Sequence, residues 1–316
     1  ADINKPLIVQ GVAGSGKTTI ALHRIAYLIY NYEKNFKPEE FMIIAPTKFF
    51  LNYISNILPD LGVNDVKQYT FEDFAYDIIG KKLKISDNNE KLVIIVNKEF
   101  DNINQGKVDI MIQEAKYKSS ISFKNIIDEY LRTVEDNYIP KEDFCYMDNV
   151  IMKYEDINNL FRQTYKMYNF TMRVNEIEKN LIAELKRKSI DIIENLQRER
   201  SLKIKDLSGQ QRVKVYDSYD KIIKTLEKDY KKIVKNYLNK IPKMDCIKYY
   251  KDFLENYLSD ENDVLKYLKQ NTLFNLKKNE IAFEDLAPLM YLQYKIIGIK
   301  DKCKIKHVVI DEAQDY

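Results

Sequence analysis

Glycine is scarce in this chain, 8 of 316 residues, and cysteine and histidine number only 3 and 2. Cys145, Cys246 and Cys303 are odd in number and widely spaced, which argues against a disulfide framework or a cysteine-rich metal site. His23 and His307 have no second ligand near them in the sequence, so both read as packing or hydrogen-bonding residues rather than zinc ligands. No apolar run reaches the 18 residues expected of a membrane span, and no basic-plus-apolar signal segment opens the chain. The expectation is a soluble, cytoplasmic, monomeric protein without membrane association. Charge of one sign is lacking as well: 51 basic and 48 acidic residues leave a net charge of only +3. This balance argues against strong nonspecific attraction of the whole chain to nucleic acid, and any such contact must come from a local surface. The hydrophobic content of 45% and the length are sufficient for two domains with cores.

Against that scarcity, Gly11, Gly14 and Gly16 fall within six positions. They lie between an apolar triplet, Leu7 to Val9, and an amphipathic run from Ile20 to Tyr30, in the pattern Gly11-x-x-x-x-Gly16-Lys17-Thr18. A glycine-rich turn of this kind lets successive backbone N–H groups face a phosphate, and the following helix offers its positive end. The candidate nucleotide-binding residues are Gly11, Ala13, Gly14, Ser15, Gly16, Lys17, Thr18 and Thr19. Lys17 supplies a point charge and Thr18 a hydroxyl for Mg²⁺. A turn that merely needs positive φ is the plainer reading, but the strand–turn–helix setting is the one a phosphate loop requires.

Near the other end, Val308, Val309 and Ile310 form a short β-branched run followed by Asp311 and Glu312. A buried parallel strand would present the two acids at its carboxyl end, where ligands bind in open α/β sheets. Asp311 is the candidate Mg²⁺ ligand, and Glu312 the candidate for orienting and deprotonating a water. Alone, an acid pair after an apolar run is an ordinary solvated turn; the glycine loop gives it meaning.

The run Asp311-Glu312-Ala313-Gln314-Asp315 resembles motif II of superfamily 1 helicases of the UvrD/Rep type. Phe41 to Ile54 and Val66 to Ala75 resemble that family's next blocks, which line its single-strand channel. Val9 to Tyr30, Asn56 to Gly62 and Leu286 to Ile299 resemble more closely the HelD, helicase IV-like branch, whose bacterial members associate with RNA polymerase. The resemblance implies an ATP- and Mg²⁺-dependent motor, with Lys17, Asp311, Glu312 and Gln314 as catalytic residues and Thr18 and Asp311 at the metal. It also implies that the chain is an N-terminal portion: the family's adenine-reading glutamine would precede Ala1, Gln10 is not its equivalent, and a second RecA-like domain would follow Tyr316. ATP hydrolysis is thus expected of the parent protein and little or none of this portion alone.

Along the chain, strand signals at Leu7 to Val9, Met42 to Ala45 and Val66 to Tyr69 alternate with helical stretches at Thr18 to Tyr32 and Lys48 to Leu58. The expected fold is α/β: a P-loop NTPase (RecA-like) parallel-sheet core interrupted by a long, mostly helical insertion. Its expected divisions are residues 1–80, the insertion 81–279, and the return to the core over 280–316. Within the insertion, Val215, Tyr219, Ile222, Leu226, Tyr230, Ile233, Tyr237 and Ile241 recur at helical spacing, as do Val174, Ile177, Leu181, Leu185, Ile192 and Leu196. These two stripes predict an antiparallel, coiled-coil-like hairpin about 40 Å long. Most of each stripe is a core seam; a functional role would lie in the tip and faces. An acidic stretch, Asp128 to Asp156, and a basic one, Lys221 to Lys251, are either solvated surfaces or partner contacts.

Candidates for single-strand contact are Thr47, Lys48, Phe49, Phe50, Thr70 and Phe71, with hydroxyls for phosphates and rings for stacking, although each ring must also serve packing. The leading functional reading is remodelling of RNA polymerase–nucleic acid complexes, with core RNA polymerase as partner by resemblance. A conventional helicase translocating on single-stranded DNA, and a polymerase-binding scaffold in which ATP acts as a switch, remain open.

Overall fold

The computed structural model describes residues 5–80, 83–86 and 105–315. In chain order the elements are α1 (Lys17–Asn31), β1 (Phe41–Ile44), α2 (Lys48–Asp60), β2 (Lys67–Tyr69), α3 (Phe71–Ile79), β3 (Lys84–Ile85), α4 (Gln105–Lys118) and α5 (Ile121–Asp136). They continue with β4 (Phe144–Tyr146), β5 (Asn149–Met152), α6 (Tyr154–Asn159), α7 (Phe170–Lys203), α8 (Gly209–Lys228), α9 (Tyr230–Leu238) and α10 (Cys246–Asp252). The last are α11 (Asp263–Lys277), β6 (Glu280–Ile281), α12 (Leu286–Leu292) and β7 (His307–Ile310). The chain divides into two compact units: Ala1–Ser119, Asp260–Gln293 and Ile299–Tyr316 form the first, Ser120–Ser259 and Tyr294–Gly298 the second. The first unit thus takes in α4 and α11, which lie inside the 81–279 span expected for the insertion; Lys81 itself lies outside the described residues.

In the first unit, β2, β1 and β7 form a parallel sheet in that order, with Met42 opposite Lys67 and Ile44 opposite Ile310. β1 reads Phe-Met-Ile-Ile and is buried along its whole length, as a central strand covered on both faces must be. Leu22, Ile25 and Leu28 of α1 and Leu51, Ile54 and Leu58 of α2 pack with Phe41 and Ile43 into one core cluster. Each such aliphatic side chain contributes about 1.5–3 kcal/mol through the water it sheds. Thr47 starts α2 by accepting from the Phe50 N–H at 3.4 Å, and Thr70 starts α3 by accepting from the Asp73 N–H at 3.2 Å. A two-residue parallel pair, β3 with β6, joins segments nearly 200 residues apart, with Lys84 opposite Glu280.

The strand expected at Leu7 to Val9 does not form. β7 pairs with β1 alone among the described residues, and its other side faces a cavity of about 640 Å³ that Leu7, Ile8 and Val9 also line. Leu7 and Ile8 are 56% and 83% exposed. An apolar triplet becomes a parallel strand only with a ladder partner and cover for its side chains; this one has no ladder partner, and only Val9 is partly covered.

The second unit is mainly helical. α8 and α9 both pack against α7, whose Ile177, Leu181, Leu185, Ile192 and Leu196 are buried. The single long helix expected over Val215 to Ile241 is broken at Asp229 (φ −110°, ψ 28°). Tyr219, Leu226, Tyr237 and Ile241 of the expected stripe are buried, while Ile223 and Val234 take the seam positions expected of Ile222 and Ile233. Buried Ser189 occupies the remaining seam position of α7, and its hydroxyl meets the Tyr230 hydroxyl at 3.1 Å. An antiparallel ribbon, β4 with β5, interrupts the insertion, which was expected to be mostly helical. Its turn carries Met147 at φ 54°, where asparagine or glycine would have announced a hairpin in the sequence. Arg173 is buried and gathers the base of α7: it donates to the Tyr168, Phe161 and Lys166 carbonyls, pairs with Glu135, and lies 5.1 Å from both the Phe161 and Phe170 rings.

Candidate nucleotide site

The glycine loop turns where its sequence requires it to. Gly14 and Gly16 adopt φ 77° and 81°, values that a side chain disfavours, while a Cβ on Gly11 would lie 2.5 Å from Ser15 Oγ. The Ser15 N–H closes the turn on the Val12 carbonyl at 3.2 Å. Gly16 then caps α1 without any side-chain cap, which leaves the first-turn N–H groups of Lys17, Thr18 and Thr19 open to an anion. Ala13 and Ser15 sit exposed in the loop and Thr19 is exposed on the helix. The Lys17 ammonium donates to the Val12 carbonyl at 3.2 Å, and an ammonium carries two further N–H donors for a phosphate.

The two ends of the sequence meet here. The Thr18 hydroxyl lies 3.0 Å from each carboxylate oxygen of Asp311, across 293 positions of chain. Asp311 is only 8% exposed, and its backbone N–H donates to the Ile44 carbonyl at 2.9 Å, so the β1–β7 ladder fixes its position. Glu312 follows at φ 49°, and the Gln314 side-chain amide donates to its carboxylate. Among the described residues no three His, Cys, Asp or Glu side chains gather as a metal cage. One carboxylate and one hydroxyl, both hard oxygen donors, fit instead a Mg²⁺ ion that completes its shell with water and phosphate.

The cavity beside β7 is lined by Gln10, Lys17, Asp311, Glu312 and Gln314, and also by Arg24 and His307, which were not foreseen as site residues. The spacing of Lys17, Ala21 and Arg24 puts all three on one face of α1, a signal the sequence did contain. His307 is half-buried against Phe41, ring centroids 5.1 Å apart. Burial, with the Arg24 charge adding to it, holds its imidazole below the usual pKa. Folding therefore favours the neutral ring, and stability is lost as the pH falls below the ordinary histidine value, where the unfolded chain takes up a proton first. The drop in unfolding midpoint between pH 7.5 and 5.0 should be smaller in His307→Gln than in the parent chain; an equal drop would remove this role.

A family model described as the UvrD/REP helicase N-terminal domain matches residues 1–316. The chain belongs to that family. No curated protein matches it. Membership implies ATP hydrolysis by the parent protein, use of ATP with Mg²⁺, and nucleic-acid binding. Among the described residues, no helix is long and apolar enough to cross a membrane.

For a helicase-family domain, the surface after β1 and β2 is of interest. Phe49 is 80% exposed and Phe50 38%, their rings edge-to-face with centroids 6.4 Å apart. Lys48 pairs with Asp73 at 3.5 Å, which links the starts of α2 and α3. Thr47 and Thr70 are occupied as helix caps, and Phe71 packs on Phe283 at 5.7 Å. Beside them, burial and then the Asp77 carboxylate, 2.8 Å away, push the Tyr69 hydroxyl up to about 12. Phe49 is thus the ring of this group with most free surface.

The acidic stretch of the helical unit is largely spent internally. Asp128 pairs with Lys124, Glu135 with Arg173, Asp136 with Arg162 and Glu142 with Lys240, while Asp143 accepts from the Tyr154 N–H. From the basic stretch, Lys224 and Lys251 are likewise paired, with Asp220 and Glu255.

Proposed function

We propose that residues 11–19 and 311–314 form the ATP·Mg²⁺ site of a P-loop, RecA-like motor domain, built from 1–80 and 280–316 and interrupted by a helical arm within 81–279. The contact of Thr18 with Asp311 carries this reading: it brings the phosphate-loop hydroxyl and the strand-end carboxylate to one point. The open first turn of α1 and Lys17 would hold the phosphates, and Thr18 and Asp311 the cation. Glu312, steered by Gln314, would orient and deprotonate the attacking water. ATP supplies the transferable phosphoryl group when bound.

Within the family, the preferred role is remodelling of RNA polymerase–nucleic acid complexes; its support is the likeness of residues 9–30, 56–62 and 286–299 to the HelD branch. The exposure of Phe49 favours, as a second reading, translocation on single-stranded DNA. Calorimetry with ATP and Mg²⁺ tests the site: Lys17→Ala should weaken binding by about ten- to a hundredfold, the worth of one charge-assisted hydrogen bond. Binding that is absent, or unchanged in the variant, overturns it. Core RNA polymerase and a single-stranded oligonucleotide, titrated in parallel, separate the two roles; retention by polymerase alone supports the first, and by the oligonucleotide alone the second.

A further inference from the structure

A single residue separates α8 from α9: Asp229 ends the first helix and begins the second. Its N–H still donates to the Thr225 carbonyl at 2.9 Å, but the N–H groups of Tyr230 and Lys231 have no backbone acceptor among the described residues. Those of Lys232 and Ile233 share the Asp229 carbonyl, at 2.9 and 3.0 Å, and the Asp229 side chain makes no cap. Main-chain bonding is thus interrupted in mid-arm with neither proline nor glycine to cause it. The inward residues ignore the gap: Tyr219, Ile223 and Leu226 before it, and Val234 and Tyr237 after it, keep the spacing of one uninterrupted helix. The partner helix α7 is weakened at the same level. Its buried Ser189 donates to the Lys186 carbonyl at 2.7 Å and meets the Tyr230 hydroxyl at 3.1 Å, while on α8 Thr225 donates to the Lys221 carbonyl at 2.9 Å. Such side-chain bonds to a helix's own carbonyls favour bending. The polar layer of Ser189 and Tyr230 divides the arm's seam in two, with Ile192, Leu196, Tyr219, Ile223 and Leu226 on one side and Leu185, Val234 and Tyr237 on the other.

We propose that Asp229, Tyr230 and Ser189 form a joint at which the arm switches between this broken form and a continuous form in which α8 and α9 run on as one helix. The continuous form returns the N–H groups of Tyr230, Lys231 and Lys232 to the Leu226, Glu227 and Lys228 carbonyls. It sacrifices no apolar cover, because the inward spacing already fits one helix. Against it stands the poor fit of aspartate to a helix interior. Opposing contributions of this size leave two forms close in free energy, the condition for a two-state element. The switch redirects the distal part of the arm as one piece that keeps its own seam, and it does not depend on the nucleotide reading.

The test is pulsed electron spin resonance on the whole chain with two nitroxide labels. One sits on Cys145, exposed in the ribbon whose Phe144 packs on Tyr237 of α9, the other on Gln210→Cys, exposed at the start of α8. Cys246 and Cys303 are buried. Asp229→Ala should raise the population at the distance of the continuous form about threefold, the worth of exchanging aspartate for alanine inside a helix. Lys231→Pro should abolish that population. Proline is tolerated in the first turn of α9, where the N–H it lacks had no acceptor, but not inside a continuous helix. Asp217→Ala, the same exchange in the middle of α8, should leave the parent's distances unchanged. A single distance that neither Asp229→Ala nor Lys231→Pro alters, or an equal shift in Asp217→Ala and Asp229→Ala, overturns the proposal. So does loss of helical circular dichroism in Lys231→Pro, which would show that the broken form needs the N–H of residue 231.

Discussion

In the full-length protein, Asp311→Asn should lower the rate of ATP hydrolysis about 10²–10³-fold, the usual loss when one electrostatic stabiliser of a transition state is removed. Asparagine keeps the shape and can still accept the Thr18 hydroxyl bond, 3.0 Å long in the parent. The backbone bond from Asp311 N–H to the Ile44 carbonyl does not involve the side chain at all. Unfolding should therefore change little, and the effect isolates the lost charge that would hold the cation. Thr18→Val removes the other oxygen donor and should cost the same order. If both act through one Mg²⁺ ion, the double variant is no slower than about threefold below the worse single one, the non-additivity of residues that act as a unit. Activity of Asp311→Asn within threefold of the parent, or losses that multiply, would mean that the Thr18–Asp311 contact is only structural.

That contact was legible from two segments at opposite ends of the chain, because each carries its own local requirement. Gly14 and Gly16 sit at positive φ, and Asp311 stands at the end of a β-branched strand paired to a fully buried neighbour. Those are backbone constraints, which sequence records directly. Leu7 to Val9 misled for the opposite reason: three apolar residues state a preference for strand, but pairing is decided by what lies alongside, and here that is a cavity. The helix break at Asp229 was hidden because the inward positions keep helical spacing across it, from Tyr219, Ile223 and Leu226 to Val234, Tyr237 and Ile241, with no proline or glycine to mark it. The acidic run from Asp128 to Asp156 read as a solvated surface or a partner contact; its partners Arg162, Arg173 and Lys240 are scattered over the following hundred residues, and only the fold brings them in. Arg24 was missed although its spacing from Lys17 put it on the cavity face, since no motif names that position.

A second large effect is expected where the first unit buries charge. Lys118, 1% exposed at its side chain, lies 2.8 Å from Glu114 on its own helix and 2.8 Å from Asp285, whose side chain has no exposure. Asp285 also accepts from the Ala282 N–H at 3.0 Å, and Asn271 reaches Glu114 at 3.4 Å. The cluster ties α4 to the turn that begins α12, and no sequence pattern announced it, because Lys118 and Asp285 are separated by more than 160 positions. Burial alone would depress the Lys118 ammonium, but the Asp285 and Glu114 charges and hydrogen bonds outweigh it and hold its pKa above the usual lysine value. Its contribution is therefore complete at neutral pH and is lost only as the pH rises through that raised value. Lys118→Met leaves two carboxylates buried without a cation and should destabilise the first unit by about 3–5 kcal/mol, the common cost of breaking a buried pair from one side. Adding Glu114→Gln and Asp285→Asn, which keeps the acceptor for Ala282, should recover a large part of that loss, since the penalty belongs to the stranded charges rather than to the missing bond. Urea unfolding followed by Tyr fluorescence and far-ultraviolet circular dichroism measures both. A loss below 1 kcal/mol for the single variant, or no recovery in the triple one, would show that the cluster does not hold these segments together.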